Sequence, residues 1–272
     1  MLTEILKHSS NALSSIAHYE HFIFIASKSK PNKAICIFNE YRTASASHEG
    51  WIDLPGVNED KSFITTMLIK DYDIEEITNQ FDIEECIIDT LKKWRGEKIQ
   101  RLHFHFSGHG FFKPPIKENP DNEEDRETTT PVGHCLVGNI GTQHLCTIQK
   151  IKYLLAQSNS DIITITVDCS RSFERNRRIR ALMPLTILPG IQKDNLARMA
   201  TMYSTCESLA SYDENSFLRE LWKVYQEQDH RISITKIQKL INDSWKNRKI
   251  NQVCIVEMID VGDNWKKKYW PL

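Results

Sequence analysis

Every residue from Ile162 to Val167 is β-branched, and the run stops abruptly at Asp168-Cys-Ser-Arg171. That length and that side-chain chemistry fit a strand buried on both faces, as in a parallel sheet, and leave little else for the segment to become. Two more runs have the same character. Lys33-Ala-Ile-Cys-Ile-Phe38 reads as a first core strand, followed by a loop beginning Asn39-Glu-Tyr-Arg42. Ile99-Gln-Arg-Leu-His-Phe-His-Phe106 reads as another and runs into Ser107-Gly-His-Gly110. Further strands are expected near 73–78, 134–138, 197–205 and 252–259. Helical spacing of apolar residues predicts helices near 58–70, with Asn58 as the cap, and near 82–95, 147–157, 215–227 and 234–247. Strands alternating with helices predict an α/β domain, a mostly parallel six-stranded sheet with helices on both faces.

The 272 residues carry a net charge of −1, so no global field favours nucleic acid or an anionic membrane surface. The apolar runs fall far short of a bilayer span, and the first thirty residues do not have the pattern of a signal peptide. The seven cysteines are scattered, odd in number and without metal-knuckle spacing, which reads as reduced thiols in a cytoplasmic protein. Residues 1–32 are expected to form a helical extension, with Leu2, Ile5, Leu6, Leu13 and Ile16 on one face of a helix over 2–19. Residues 33–260 form the domain: a large half 33–170, an Arg-rich linker 171–195 and a small half 196–260. Residues 261–272 are a tail.

In parallel sheets, sites gather where strands end at their carboxyl edge. Here Ser107-Gly-His109-Gly110 and Asp168-Cys169-Ser170-Arg171-Ser172 leave two such strands. Together they resemble the histidine and nucleophile motifs of the caspase-like cysteine peptidases, the family of caspases, metacaspases and paracaspases. Three further segments resemble that family in order and spacing: Asn39-Glu-Tyr41 with Leu54-Pro-Gly-Val-Asn-Glu-Asp60, Met202-Tyr-Ser-Thr-Cys206 with Ala210 and Asp213, and Ser216-Phe-Leu-Arg-Glu-Leu221. The resemblance covers about residues 33–260 and implies a caspase-like three-layer sandwich.

The resemblance also implies roles. Aligning Asp168 and Arg171 with the family motif puts Ser170 at the nucleophile position, with Cys169 one place early and on the other face of the strand. His109 would be the acid–base, and the backbone N–H groups of Gly110 and Ser170 would form the oxyanion hole. Asp60, Asp168 and Asp213 match the acids around the S1 pocket of the Arg/Lys-directed metacaspase and paracaspase branch. The implied partner is therefore a peptide or protein substrate with a basic P1 residue. Arg178 and Arg180 are candidate processing positions in the linker. No cofactor is implied, and the sequence does not address calcium dependence. A homodimer or a regulatory protein is a candidate further partner. A thiol is partly ionised near neutral pH whereas a serine hydroxyl needs a well-oriented base, so the chain is expected to be nearly inactive as it stands.

Plainer readings stand beside these. Asp60 opens a helix, where an acid favours the dipole, and Asp213 lies in a polar loop. Asp168 could end its strand with a side-chain turn bond. His103 and His105 share a strand face and could be packed in the core or, with His109, face a metal. Three functional classes follow: an endopeptidase, a pseudoprotease acting as a peptide- or partner-binding module, and an unrelated flavodoxin-like binding domain. The last lacks a Gly-rich phosphate loop after the first strand.

Overall fold

The computed structural model describes residues 31–42, 51, 53–113, 133–139, 141–169, 199–205, 216–228 and 232–259. Its centre is a six-stranded sheet built from β1 (Asn32–Phe38), β2 (Tyr72–Thr78), β3 (Ile99–Ser107), β7 (Ser160–Asp168), β8 (Met199–Tyr203) and β9 (Ile255–Ile259). The spatial order is β2-β1-β3-β7-β8-β9. All neighbours run parallel except β9, which is antiparallel to β8. The β-branched run 162–167 thus lies in β7, between β3 and β8, and from Ile163 onward it is buried on both faces as its composition requires.

Among the described residues, five helices cover the sheet: α1 (Val57–Leu68), α2 (Ile83–Lys93), α3 (Ile148–Ala156), α4 (Phe217–Glu227) and α5 (Ile234–Asn247). Alternation along the strands divides the core in two. Ile35, Ile37, Phe104, Phe106, Ile163, Ile165 and Val167 pack under α2 and α3. Ala34, Cys36, Phe38, Ala200 and Met202 pack under α1, α4 and α5, with Trp245 fully buried among them. No helix among the described residues is long and apolar enough to cross a membrane.

Helix starts follow their capping chemistry, with one departure from expectation. Asp82, Thr147, Ser216 and Ser233 each accept a backbone N–H of the first turn through the side chain. Helix α1 instead begins at Val57 after Gly56, with no side-chain cap, so Asn58 lies inside its first turn rather than capping it. Pro55 and Gly56 make the turn that starts the helix, and Glu59 and Asp60 supply the acids favoured there.

A second sheet has no counterpart among the expected strands except its middle one. Strands β4 (Gly110–Lys113), β5 (Gly133–Gly138) and β6 (Gly141–Thr147) form it, antiparallel in the order β4-β5-β6. Its inner face makes a small core of Tyr41, Phe111, Cys135 and Val137, with Trp51, Leu54 and Leu145 packed against it. This sheet starts directly after His109, so it backs the carboxyl edge of β3. The helix expected over 2–19, the linker 171–195 and the tail 261–272 lie outside the described residues.

Candidate functional site

Strand β3 ends at Ser107, flanked by β1 and β7 in register: Phe38 and Asp168 are its partners. The turn that follows is tied to both neighbours. Asn39 N donates to Ser107 O at 3.0 Å, and Gly108 N donates to Asp168 O at 3.2 Å. His109 leaves this turn half-buried, with its ring 4.5 Å from that of Tyr41 and 5.0 Å from that of Trp51, centroid to centroid. Gly110 then opens β4 opposite Leu136. A Cβ on Gly110 would lie 2.5 Å from Cys169 Sγ and 3.0 Å from Cys135 O, so no side chain fits where β4 crosses the end of β7.

Asp60 and Asp168 reach the same edge from different elements. Asp168 is the last residue of β7 and pairs across from Ser107; Asp60 comes from the first turn of α1. Each is only 8% exposed. The Ser107 hydroxyl donates to Asp60 Oδ2 at 2.6 Å, and the Ser216 hydroxyl donates to Asp60 Oδ1 at 2.9 Å. Ser216 also caps α4, accepting from Arg219 N. The carboxylate of Asp60 therefore ties α1 to β3 and to the start of α4. Asp168 lies close enough to Cys254 for its charge to add to burial, which pushes that thiol's pKa far above its ordinary value. A buried carboxylate needs hydrogen-bond donors, and the two serines supply them here.

The remaining residues singled out by the sequence fall elsewhere. Cys169 turns to the face opposite Asp168 and is buried, its Sγ 3.2 Å from His134 Nε2. His134 comes from β5, and its ring also lies 5.4 Å from that of Tyr203. His103 and His105 are fully buried; threonines of β7 meet both ring nitrogens of His103 and Nδ1 of His105, while His105 Nε2 is buried without a hydrogen-bond partner. His103 Nδ1 meets Thr164 Oγ1 at 2.9 Å and Nε2 meets Thr166 Oγ1 at 3.1 Å; His105 Nδ1 meets Thr166 Oγ1 at 2.8 Å. Burial holds both imidazoles neutral, with the His103 pKa lowered to about 3 and that of His105 well below its ordinary value. Among the described residues, no group of three His, Cys, Asp or Glu side chains is arranged to hold a metal ion. Cys36 lies buried in β1, and Cys254 lies buried just before β9 rather than within it. Ser170, Asp213, Arg178, Arg180 and Cys206 lie outside the described residues.

Sequence reasoning does not single out Tyr41, Trp51 or His134 for the site. Tyr41 stands in a segment that carries the resemblance, but as part of a strand and loop and not as a neighbour of His109; Trp51 lies in the loop after β1, and His134 meets Cys169, 35 residues away. Ser107 and Ser216 do stand in recognised motifs, but their role as donors to Asp60 depends on contacts 47 and 156 residues apart.

No family model matches the chain, and no curated protein matches it in sequence. Solved structures do match in shape. Protein GSU0716 from Geobacter sulfurreducens superposes with a TM-score of 0.57 at 14% identity, covering 89% of this chain and 98% of that one. Caspase-1 from Spodoptera frugiperda superposes with a TM-score of 0.57 at 11% identity, covering 85% of this chain and 87% of that one. At these identities the likeness is one of backbone architecture. Taken with the six-stranded, mostly parallel sheet between two helical layers, it establishes that the chain has a caspase-like fold.

Proposed function

We propose that this chain recognises peptides with Arg or Lys at P1, and that its inherited chemistry is that of a caspase-like endopeptidase with serine at the nucleophile position, 170. The observation that supports this reading is the pair of buried carboxylates, Asp60 and Asp168, set around Ser107 on one sheet face next to the His109 turn. A guanidinium or ammonium group entering there would meet anionic acceptors in a desolvated setting, where charge-assisted hydrogen bonds are strong. Asp213 is proposed as a third acid of the same pocket.

In the proposed chemistry, the nucleophile at position 170 attacks the scissile carbonyl and passes its proton to His109. His109 then returns a proton to the leaving amine. The carbonyl oxygen gains charge against the backbone N–H groups of Gly110 and residue 170. A hydroxyl in a Cys–His-type dyad stays protonated at neutral pH, so the chain with Ser170 binds its peptide and turns it over very slowly. A second reading, a pseudoprotease that binds basic peptides or a partner, is favoured by Ser170 itself and uses the same pocket.

The test has two arms. Titration calorimetry with plain peptides differing only at P1 should show Arg and Lys binding at least about ten-fold tighter than Asp, a preference that Asp168→Asn weakens. Ser170→Cys should release a reporter from Arg and Lys peptides, and Ser170→Cys with His109→Ala should not. Equal affinity for Arg and Asp peptides rejects the basic-P1 assignment. Selective binding with a Ser170→Cys variant that stays inert, with and without calcium, rejects the endopeptidase and leaves the binding module.

A further inference from the structure

Tyr41 has a positive φ of 62°, in the left-handed region that a bulky aromatic residue rarely adopts, and it is almost completely buried. Such a conformation persists only where the surroundings over-determine it, and such strain is concentrated at functional sites. Tyr41 N donates to Asn139 Oδ1 at 3.0 Å. Two residues earlier, fully buried Asn39 locks the loop entrance: its Oδ1 accepts from Gln80 N at 2.8 Å, and its Nδ2 donates to Gln80 O at 2.9 Å and Val137 O at 3.3 Å.

The hydroxyl of Tyr41 is inserted between two strands. The β4–β5 ladder ends at Gly110–Leu136, and continuing its antiparallel register by one residue would set His109 opposite Val137. Half of that pair is direct, with Val137 N donating to His109 O at 3.0 Å. The other half is bridged by the phenol: His109 N donates to the Tyr41 hydroxyl at 3.0 Å, and that hydroxyl donates to Val137 O. Both polar groups of the His109 peptide unit are thereby held, yet the histidine stands off the ladder by the width of one hydroxyl. The Tyr41 ring lies against the imidazole at 50°, and Trp51 adds a second aromatic contact at 39°. Gly108 keeps the slot open, because a Cβ there would lie 3.0 Å from the Tyr41 hydroxyl oxygen and 2.8 Å from the Phe106 ring.

We propose that Tyr41 is a positioning residue for His109: its hydroxyl, spliced into the β4–β5 ladder, sets the backbone and ring orientation of the histidine. This rests on the reading of His109 as the acid–base, and the main test does not need turnover. Removing the hydroxyl by Tyr41→Phe takes the acceptor from the His109 N–H and leaves Val137 O with only its longer bond from Asn39 Nδ2; the His109 N–H is then either unsatisfied or closes onto Val137 O, and both outcomes turn the imidazole. Gly108→Ala displaces the hydroxyl while keeping it, and should reproduce the effect.

The experiment is NMR on the full chain. Tyr41→Phe should accelerate exchange of the His109 amide about five- to ten-fold, as expected for one lost hydrogen bond, and shift the His109 ring resonances while β7 amides exchange as before. Gly108→Ala should shift the same His109 resonances. In a Ser170→Cys background with activity, Tyr41→Phe should lower kcat with little change in KM. Unchanged His109 exchange and ring shifts in both variants overturn the proposal. Exchange that rises equally at His109 and across β7 also overturns it, since Tyr41 would then only stabilise the fold. A Ser170→Cys chain that never cleaves sinks the protease reading and leaves the positioning result intact.

Discussion

Gly110 shows how closely the edge of this site is packed. Its missing side chain is replaced by the thiol of Cys169 and the carbonyl of Cys135. Gly110→Ala should therefore overpack a fully formed interior contact and cost about 1–3 kcal/mol in chemical unfolding. Adding Cys169→Ala removes the nearest clashing atom, so the double variant should regain part of that loss; a double variant no better than Gly110→Ala would place the strain elsewhere. The requirement for glycine here is only half legible in the sequence. The pattern Ser-Gly-His-Gly identifies a turn after a buried strand, but not that the second glycine faces a cysteine 59 positions away. The same limit applies to Asp60. Its place in a first helical turn is readable, whereas its two serine donors come from β3 and from the cap of α4, a meeting decided by the packing of the elements.

Among the elements, those with strong local chemistry are the ones the sequence reveals. The run 162–167 cannot sit comfortably in a helix, and it forms β7; the apolar spacing over 82–95 yields α2, bounded by Asp82. Strands β4 and β6 give no comparable signal. Gly110-Phe-Phe-Lys113 is too short for a period, and Gly141-Thr-Gln-His-Leu-Cys-Thr147 is largely polar; both are strands because β5 supplies the partner edges. Helix α1 starts at a Pro-Gly turn instead of the asparagine cap because tight turns and capping side chains are alternative ways to begin a helix. The pairing of β7 with β8 has its own consequence for the linker. Under the proposed activity, Ser170→Cys should cut after Arg175, Arg177, Arg178 or Arg180, as mass spectrometry would show. The two fragments should co-elute, since five parallel residue pairs, Ile163–Met199 to Val167–Tyr203, bridge the break. Fragments that separate under native conditions would contradict this, and an intact Ser170→Cys chain that cleaves basic peptides would reject self-processing.

For the whole molecule, the buried histidines of β3 couple stability to pH. Burial keeps His103 neutral down to about 3, and burial is the main cause that lowers His105 as well. In the unfolded chain each would take up a proton near its ordinary pKa of about 6.5. Below that pH the unfolded state binds more protons, so the histidine contribution is complete above about 6.5 and is lost progressively as the pH falls toward 3. His103→Gln should flatten that dependence by about one proton in denaturant melts from pH 7 to pH 4.5. An unchanged slope would mean that His103 already carries its proton in the folded state.

The double anchor on Asp60 also orders events during synthesis. Ser107 follows Asp60 closely along the chain, but Ser216 lies 156 residues away. As the polypeptide leaves the ribosome from its amino end, Asp60 can meet its first hydroxyl long before its second exists. The carboxylate reaches its final hydrogen-bonded state only when α4 has emerged and docked beside α1. A nascent chain that already displays His109 and Asp168 therefore still lacks this acid in its finished setting, so completion of the acidic edge waits until synthesis has passed α4.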